Sequence, residues 1–220
     1  MRLIMFDMDG TLIDTQALIA ENAAAAFQSM GLPPPTPAEV RSIIGLSLPV
    51  AMGRLLKTDD VDLVEAVVGQ YRSLYRTSLE QDVDREPLYP GARDALERLK
   101  LQPEIILGVA TGKGLNGVVR ILGNHGIAGH FVTLQTPDHN PSKPHPGMLL
   151  RAMAETGAEP TSTVMVGDTT YDMELARAAG CRAVGVTWGY HPAEDLLRAG
   201  AGALIHDYSE LDAAIVRVLE

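Results

Sequence analysis

The sequence has one cysteine, Cys181. An intramolecular disulfide is therefore impossible and a cysteine-built zinc site is excluded, so Cys181 reads as a reduced core residue. Long apolar runs are missing as well. No stretch reaches the ~18 residues a membrane span needs, and Met1-Arg2 is followed by only four apolar residues before Asp7, too few for a secretory signal. Positive charge is scarce: 18 Lys and Arg stand against 28 Asp and Glu, a net charge of −10, with no basic cluster to override that field locally. Neither nucleic acid nor an anionic membrane surface is an expected partner. Aromatic residues make up 5% of the chain, so a core must rest on Ala, Val, Leu and Ile. These absences leave a soluble, cytoplasmic globular protein as the expectation.

What is present is rhythm. Arg2–Phe6 is a short apolar run that stops at acidic and glycine residues, as a buried strand does. Similar runs recur at Ile105–Ala110, Phe131–Leu134, Val164–Val166, Ala183–Thr187 and Ala203–Ile205. Helical patterns lie between them, at Leu115–Leu122, Gly147–Glu155, Tyr171–Ala179, Pro192–Arg198 and Leu211–Leu219. Alternation at this spacing predicts an α/β fold, a Rossmann-like, mostly parallel sheet flanked by helices. From about Gln16 to Arg85 the rhythm breaks, and only helical patterns occur. Thr36-Pro37-Ala38-Glu39 has the form of a capping box with Pro at the first helical position. The simplest organisation is an all-helical cap domain at 15–86, inserted after the first strand into a core made of 1–14 and 87–220.

In open parallel sheets, ligands bind beyond the carboxyl ends of the strands. Asp7 and Asp9 end the first strand, Thr111 ends the second, and Asp168 follows Gly167, with Asp172 four residues on. Lys143 lies in a Pro-rich loop that leads into a helix. Carboxylates converging at one sheet edge are unfavourable unless a cation sits among them, and oxygen-only ligands suit Mg²⁺. Such a cation would bridge to a phosphate, with Lys143 and the Thr111 hydroxyl on the remaining oxygens and the amides around Gly10 as an anion nest. Asp7 could then attack phosphorus in line, and Asp9 could protonate the leaving oxygen and later deprotonate water.

Asp7-Met8-Asp9-Gly10-Thr11-Leu12-Ile13-Asp14-Thr15 resembles the signature of the haloacid dehalogenase superfamily, and Thr111, Lys143 and Gly167-Asp168-Thr169-Thr170-Tyr171-Asp172 are similar to its other three motifs. The resemblance spans essentially the whole chain and is strongest to phosphoglycolate phosphatase-like members. It implies an Mg²⁺-dependent phosphatase acting on a small phosphorylated metabolite such as phosphoglycolate. It also implies that Asp7 is nucleophile and metal ligand, and that Asp9 is general acid/base with its backbone carbonyl on the metal. Asp168 becomes a further metal ligand, while Asp172 acts through bound water or by orienting Lys143. Phosphate contact is implied for Gly10, Thr111, Gly112 and Lys143, and substrate reading by the cap through Arg41 and Gly45. Thr111-Gly112-Lys113 departs from the pattern, because many relatives carry Asn at the second position.

Several of these residues also have plainer roles open to them. Gly167-Asp168 could simply cap a helix. Gly112-Lys113-Gly114-Leu115-Asn116-Gly117 fits a dinucleotide fingerprint, yet the acid expected about 20 residues on is missing, so these glycines read as a turn and a helix start. The six histidines show no metal-ligand spacing. A sugar-phosphate mutase, in which the phosphoryl group passes to a second hydroxyl, and a non-catalytic phospho-metabolite binder remain as alternatives. Dehalogenation is disfavoured, since it needs neither magnesium nor a second acid at position 9.

Overall fold

The computed structural model describes residues 1–82 and 84–220. The chain opens with β1 (Arg2–Phe6), buried from Leu3 onward. Four helices follow, α1 (Gln16–Ser29), α2 (Pro37–Ile43), α3 (Leu48–Leu56) and α4 (Val61–Gln81), before α5 (Ala92–Lys100). Strand and helix then alternate: β2 (Ile105–Ala110), α6 (Leu115–Asn124), β3 (Phe131–Gln135), α7 (Gly147–Thr156), β4 (Thr163–Gly167), α8 (Thr170–Ala178), β5 (Arg182–Val186), α9 (Ala193–Ala199), β6 (Ala203–Ile205) and α10 (Leu211–Leu219).

The strands form one sheet in the order β3-β2-β1-β4-β5-β6, and every adjacent pair is parallel. Side chains alternate across a strand, so β1 feeds two cores. Ile4 and Phe6 join Leu96, Val118 and Ile215 of α5, α6 and α10, while Leu3 and Met5 join Met148, Leu175 and Leu196 of α7, α8 and α9. A sheet buried on both faces needs continuous apolar runs, and that is why its strands read so plainly. The ends move by a residue where polar side chains still fit the ladder. β4 starts at Thr163, and β5 stops at Val186. Thr187, expected as strand, instead sends its N–H to the Ile205 carbonyl at 3.1 Å.

Helices α1 to α4 gather around a third cluster that includes Phe27, Val40, Met52, Val67 and Tyr71, to which the sheet side contributes Tyr190. The Thr36 capping box forms: the Thr36 amide donates to Glu39 Oε2 at 2.9 Å, and the Glu39 amide to Thr36 Oγ1 at 3.2 Å. The chain leaves and re-enters the sheet side by side. The Asp14 amide donates to the Pro87 carbonyl and the Tyr89 amide to the Leu12 carbonyl, both at 2.9 Å. Among the described residues no helix is long and apolar enough to cross a membrane.

Candidate active site

Sheet order reverses between β1 and β4, the position where an open sheet leaves a crevice at its carboxyl edge. The chain leaving β1 is drawn toward β4 by the Asp7 amide, which donates to the Val166 carbonyl at 3.0 Å. It then turns tightly, with the amides of Thr11, Leu12 and Ile13 all directed at the Met8 carbonyl. Gly10 has φ +86°, and a Cβ there would overlap the Asp168 carboxylate and the Tyr190 ring. Only glycine suits that position.

Asp7 is fully buried. Its Oδ1 accepts the Met8 amide at 2.7 Å and lies 3.0 Å from Lys143 Nζ. Its Oδ2 is buried and, among the described residues, has no hydrogen-bond partner. Lys143 is itself buried and also pairs with Asp172 Oδ1 at 2.6 Å. The other oxygen of Asp172 accepts the amide and hydroxyl of Thr169 at 3.0 and 2.7 Å. Both oxygens of Asp172 are thus committed, one of them to Lys143. Thr169, not Asp168, is the N-cap of α8. The Asp168 carboxylate turns the other way, accepting the Thr11 hydroxyl at 2.8 Å and the Tyr190 amide at 2.9 Å.

Oxygens of Asp7, Asp168 and Asp172 all lie within 4.8 Å of one another. Three buried carboxylates face one ammonium, which leaves a formal −2 if all are ionised. Burial pushes the Asp7 carboxyl up to about 7; Lys143 works against the rise, and Asp172 and Asp9 add to it. Burial, then Asp172 and Asp7, raise Asp168 well above the usual carboxylate range. The group is therefore electrostatically incomplete. A divalent cation of the hard, oxygen-binding kind matches both the missing charge and the unpartnered Asp7 Oδ2.

Thr111 follows β2, buried, with its amide on the Gln135 carbonyl and its hydroxyl accepting the Lys113 amide at 3.2 Å. At Gly112 a Cβ would overlap the carbonyl oxygens of Gly45 and Leu46, so the absence of a side chain lets the inserted helices press onto this loop. Gly114 is the N-cap of α6, whose Leu115 amide donates to Asp138 Oδ2 at 2.8 Å. The glycine-rich stretch therefore forms a turn and a helix start. Asp9 lies apart from the acidic group. Its Oδ1 accepts the Thr15 hydroxyl at 2.7 Å and sits 3.2 Å from Lys113 Nζ.

A cavity of about 950 Å³ separates this floor from the inserted helices. Asp7, Asp9, Thr111 and Lys113 line one side; Gly45, Tyr71, Arg72, Tyr75 and Arg76 line the other. Gly45 has φ +99° and meets Thr169 across the cleft. Arg41, in the last turn of α2, is not among the lining residues. Ser47 donates its amide to Ser142 Oγ at 2.8 Å, and the Tyr171 hydroxyl donates to the Ser42 carbonyl at 2.7 Å, further ties across the cleft. His145 and His191 accept the Gly147 and Thr170 amides, each at 3.1 Å.

The sequence model of the family described as haloacid dehalogenase-like hydrolase matches residues 4–186. The chain belongs to this family. Among its curated relatives is "Probable phosphatase IndB" of Dickeya dadantii, 36% identical over 223 residues that cover 99% of this chain and 95% of the relative. A phosphoglycolate phosphatase of Vibrio vulnificus is 34% identical over 200 residues, covering 89% and 87%. A crystal structure described as a predicted phosphoglycolate phosphatase from Haemophilus somnus superposes with a TM-score of 0.85, at 28% identity and over 96% of each chain.

Sequence reasoning did not single out Lys113, Thr11, Thr15 or Tyr190. Thr11 and Thr15 stand inside the quoted first motif, but as hydroxyls in a turn they carry no signal of their partner. Asp168, which the Thr11 hydroxyl meets, is 157 positions away. Lys113 stands in the sequence within a glycine-rich run and in the Thr111-Gly112-Lys113 departure, and neither points to Asp9.

Proposed function

We propose that this hydrolase is a magnesium-dependent phosphatase that cleaves a small phosphomonoester through an aspartyl phosphate on Asp7. The observation that carries the reading is the buried Asp7–Asp168–Asp172 group, with one lysine and one unpartnered carboxylate oxygen. Asp7, Asp168 and the backbone carbonyl of Asp9 would hold Mg²⁺, which supplies charge neutralisation between the carboxylates and an incoming phosphate.

The remaining chemistry belongs to the chain. Lys143, fixed by Asp172, and the Thr111 hydroxyl hold phosphate oxygens, and the backbone amides around Gly10 and Gly112 are proposed to add to that hold. Asp7 attacks phosphorus; the bond from phosphorus to the ester oxygen breaks, and its electron pair leaves with that oxygen. Asp9 gives its proton to the departing alkoxide. Water then attacks the phosphoenzyme and gives a proton to Asp9, and the Asp7–phosphorus bond breaks to release inorganic phosphate. The inserted helices act as a cap that keeps bulk water out until the first alcohol has left.

For the substrate we propose phosphoglycolate or a similar metabolite, on the strength of the names carried by relatives. Arg72 and Arg76, one turn apart on the cavity wall, suit an anionic leaving group. Gly45, also on that wall, is proposed to read the substrate; Arg41 could do so only after a rearrangement of α2. The mutase reading has no particular observation in its favour. The test is phosphate release from a panel of phosphomonoesters with and without Mg²⁺, with a phosphotransfer assay alongside. Magnesium-dependent release from at least one small ester is expected; no release from any would overturn the reading.

A further inference from the structure

The loop after β2 carries a second, partly buried ammonium. Lys113 Nζ lies 3.2 Å from Asp9 Oδ1 and 4.0 Å from Glu86, with its side chain only 13% exposed. It donates to the Tyr75 hydroxyl at 3.4 Å and sits 5.1 Å above the centre of that ring. Tyr75 in turn donates to Glu86 Oε1 at 2.7 Å, and Arg120 clamps Glu86 through two contacts of 2.5 and 3.0 Å. Lys113 is therefore held by groups from three places: Tyr75 on α4, Glu86 where the chain re-enters the sheet, and Asp9 after β1. Two opposing donors, Lys113 and the Thr15 hydroxyl, grip Asp9 at Oδ1. Among the described residues Asp9 Oδ2 receives no protein hydrogen bond, and Asp9 lines the cavity.

We propose that Lys113 is a positioning residue, which pins Asp9 by Oδ1 so that Oδ2 faces the substrate oxygen for proton transfer. The proposal rests on Asp9 being the general acid. A carboxylate with one fixed oxygen and one free oxygen delivers its proton along a defined line, whereas a freely rotating one does so only part of the time. The step affected is the first. The ester oxygen takes the proton from Asp9 Oδ2 as its bond to phosphorus breaks, and Asp9 is left as the carboxylate. Because Tyr75 belongs to the inserted helices, the hold on Lys113 is complete only when α4 lies over the loop. Acid alignment and cap placement thus share one lysine.

The test uses single-turnover release of the alcohol, with Mg²⁺ present, from two esters. One is the best alkyl phosphate of the panel; the other is 4-nitrophenyl phosphate, whose phenolate departs without a proton. Lys113→Met is expected to slow alkyl alcohol release about 10- to 100-fold, part of the ~10²- to 10⁴-fold worth of a general acid. 4-Nitrophenol release should stay within about threefold, and Lys113→Arg should restore most of the loss. Tyr75→Phe, which loosens Lys113 without removing it, should show the same selectivity to a smaller degree, and it carries the test if Lys113→Met does not fold. An equal fall on both esters would mean a collapsed loop and overturn the proposal. So would a raised KM with the release rate kept, which would mean direct substrate binding. Asp9→Asn is the reference. If it fails to discriminate between the esters, the general-acid reading falls; if it discriminates and the Lys113 variants do not, the positioning role alone falls.

Discussion

At the scale of single residues, the two aspartates of the first motif stand in different surroundings although one residue separates them. Asp7 is buried with one oxygen that no group among the described residues satisfies, and Asp9 is held on one oxygen at the cavity wall. Asp7→Asn is expected to lower turnover on the order of 10⁴-fold or more, as loss of a nucleophile does; intact-mass measurement under substrate should find no phosphoenzyme. Asp9→Asn should cost about 10²- to 10⁴-fold while leaving Mg²⁺ affinity nearly unchanged, which calorimetric titration reads directly. The candidate residues were visible in the sequence because Asp, Thr and Gly directly after an apolar run mark a strand's carboxyl end. Not every partner was. The Lys143–Asp172 pair is one the family resemblance implies, but Thr11 meets Asp168 only because β1 and β4 are neighbours, and a hydroxyl announces no distant partner in one dimension.

Elements were legible in proportion to how much burial dictated them. β1, β2, β6 and α10 begin and end where the apolar pattern does. β4 and β5 differ from it by a residue, since Thr163 and Arg182 join the ladder while carrying no apolar signal. The helical character of the insert was equally plain, but which helix faces meet the cavity was not. Tyr71, Arg72, Tyr75 and Arg76 repeat at helical spacing and look like the edge of an ordinary amphipathic face. The junction between insert and sheet depends on a residue with no side chain. Gly112→Ala would push Gly45 and Leu46 off the loop after β2. Its expected signature is a fall of about tenfold or more in kcat/KM, in the range a small misplacement costs. The melting temperature should move little, since the clash lies between layers and not within a core. Steady-state kinetics beside thermal unfolding checks both halves.

The whole molecule is acidic, with a net charge of −10, and concentrates three of its carboxylates in one buried place. A cation that binds only the folded state stabilises it by mass action, about 2.7 kcal/mol at a hundred times the dissociation constant. Magnesium should therefore raise the unfolding temperature of the wild-type chain, and Asp168→Asn should abolish most of that rise in a thermal scan with and without the ion. The fold class followed from alternating strand and helix, whereas the electrostatic deficit became visible only once the sheet had brought residues from opposite ends of the chain together. The loop after β5 places an optical handle beside the first motif. The chain has a single tryptophan, Trp188. Its indole N–H donates to the Thr11 carbonyl at 3.2 Å, and its ring packs 4.8 Å from Tyr208, whose hydroxyl donates to the same carbonyl at 2.8 Å. The carbonyl that both rings hold belongs to the residue whose hydroxyl binds Asp168. Indole emission thus comes from one ring wired to the first motif, and it is expected to change on ion binding, which a Mg²⁺ titration read by tryptophan fluorescence checks without a label.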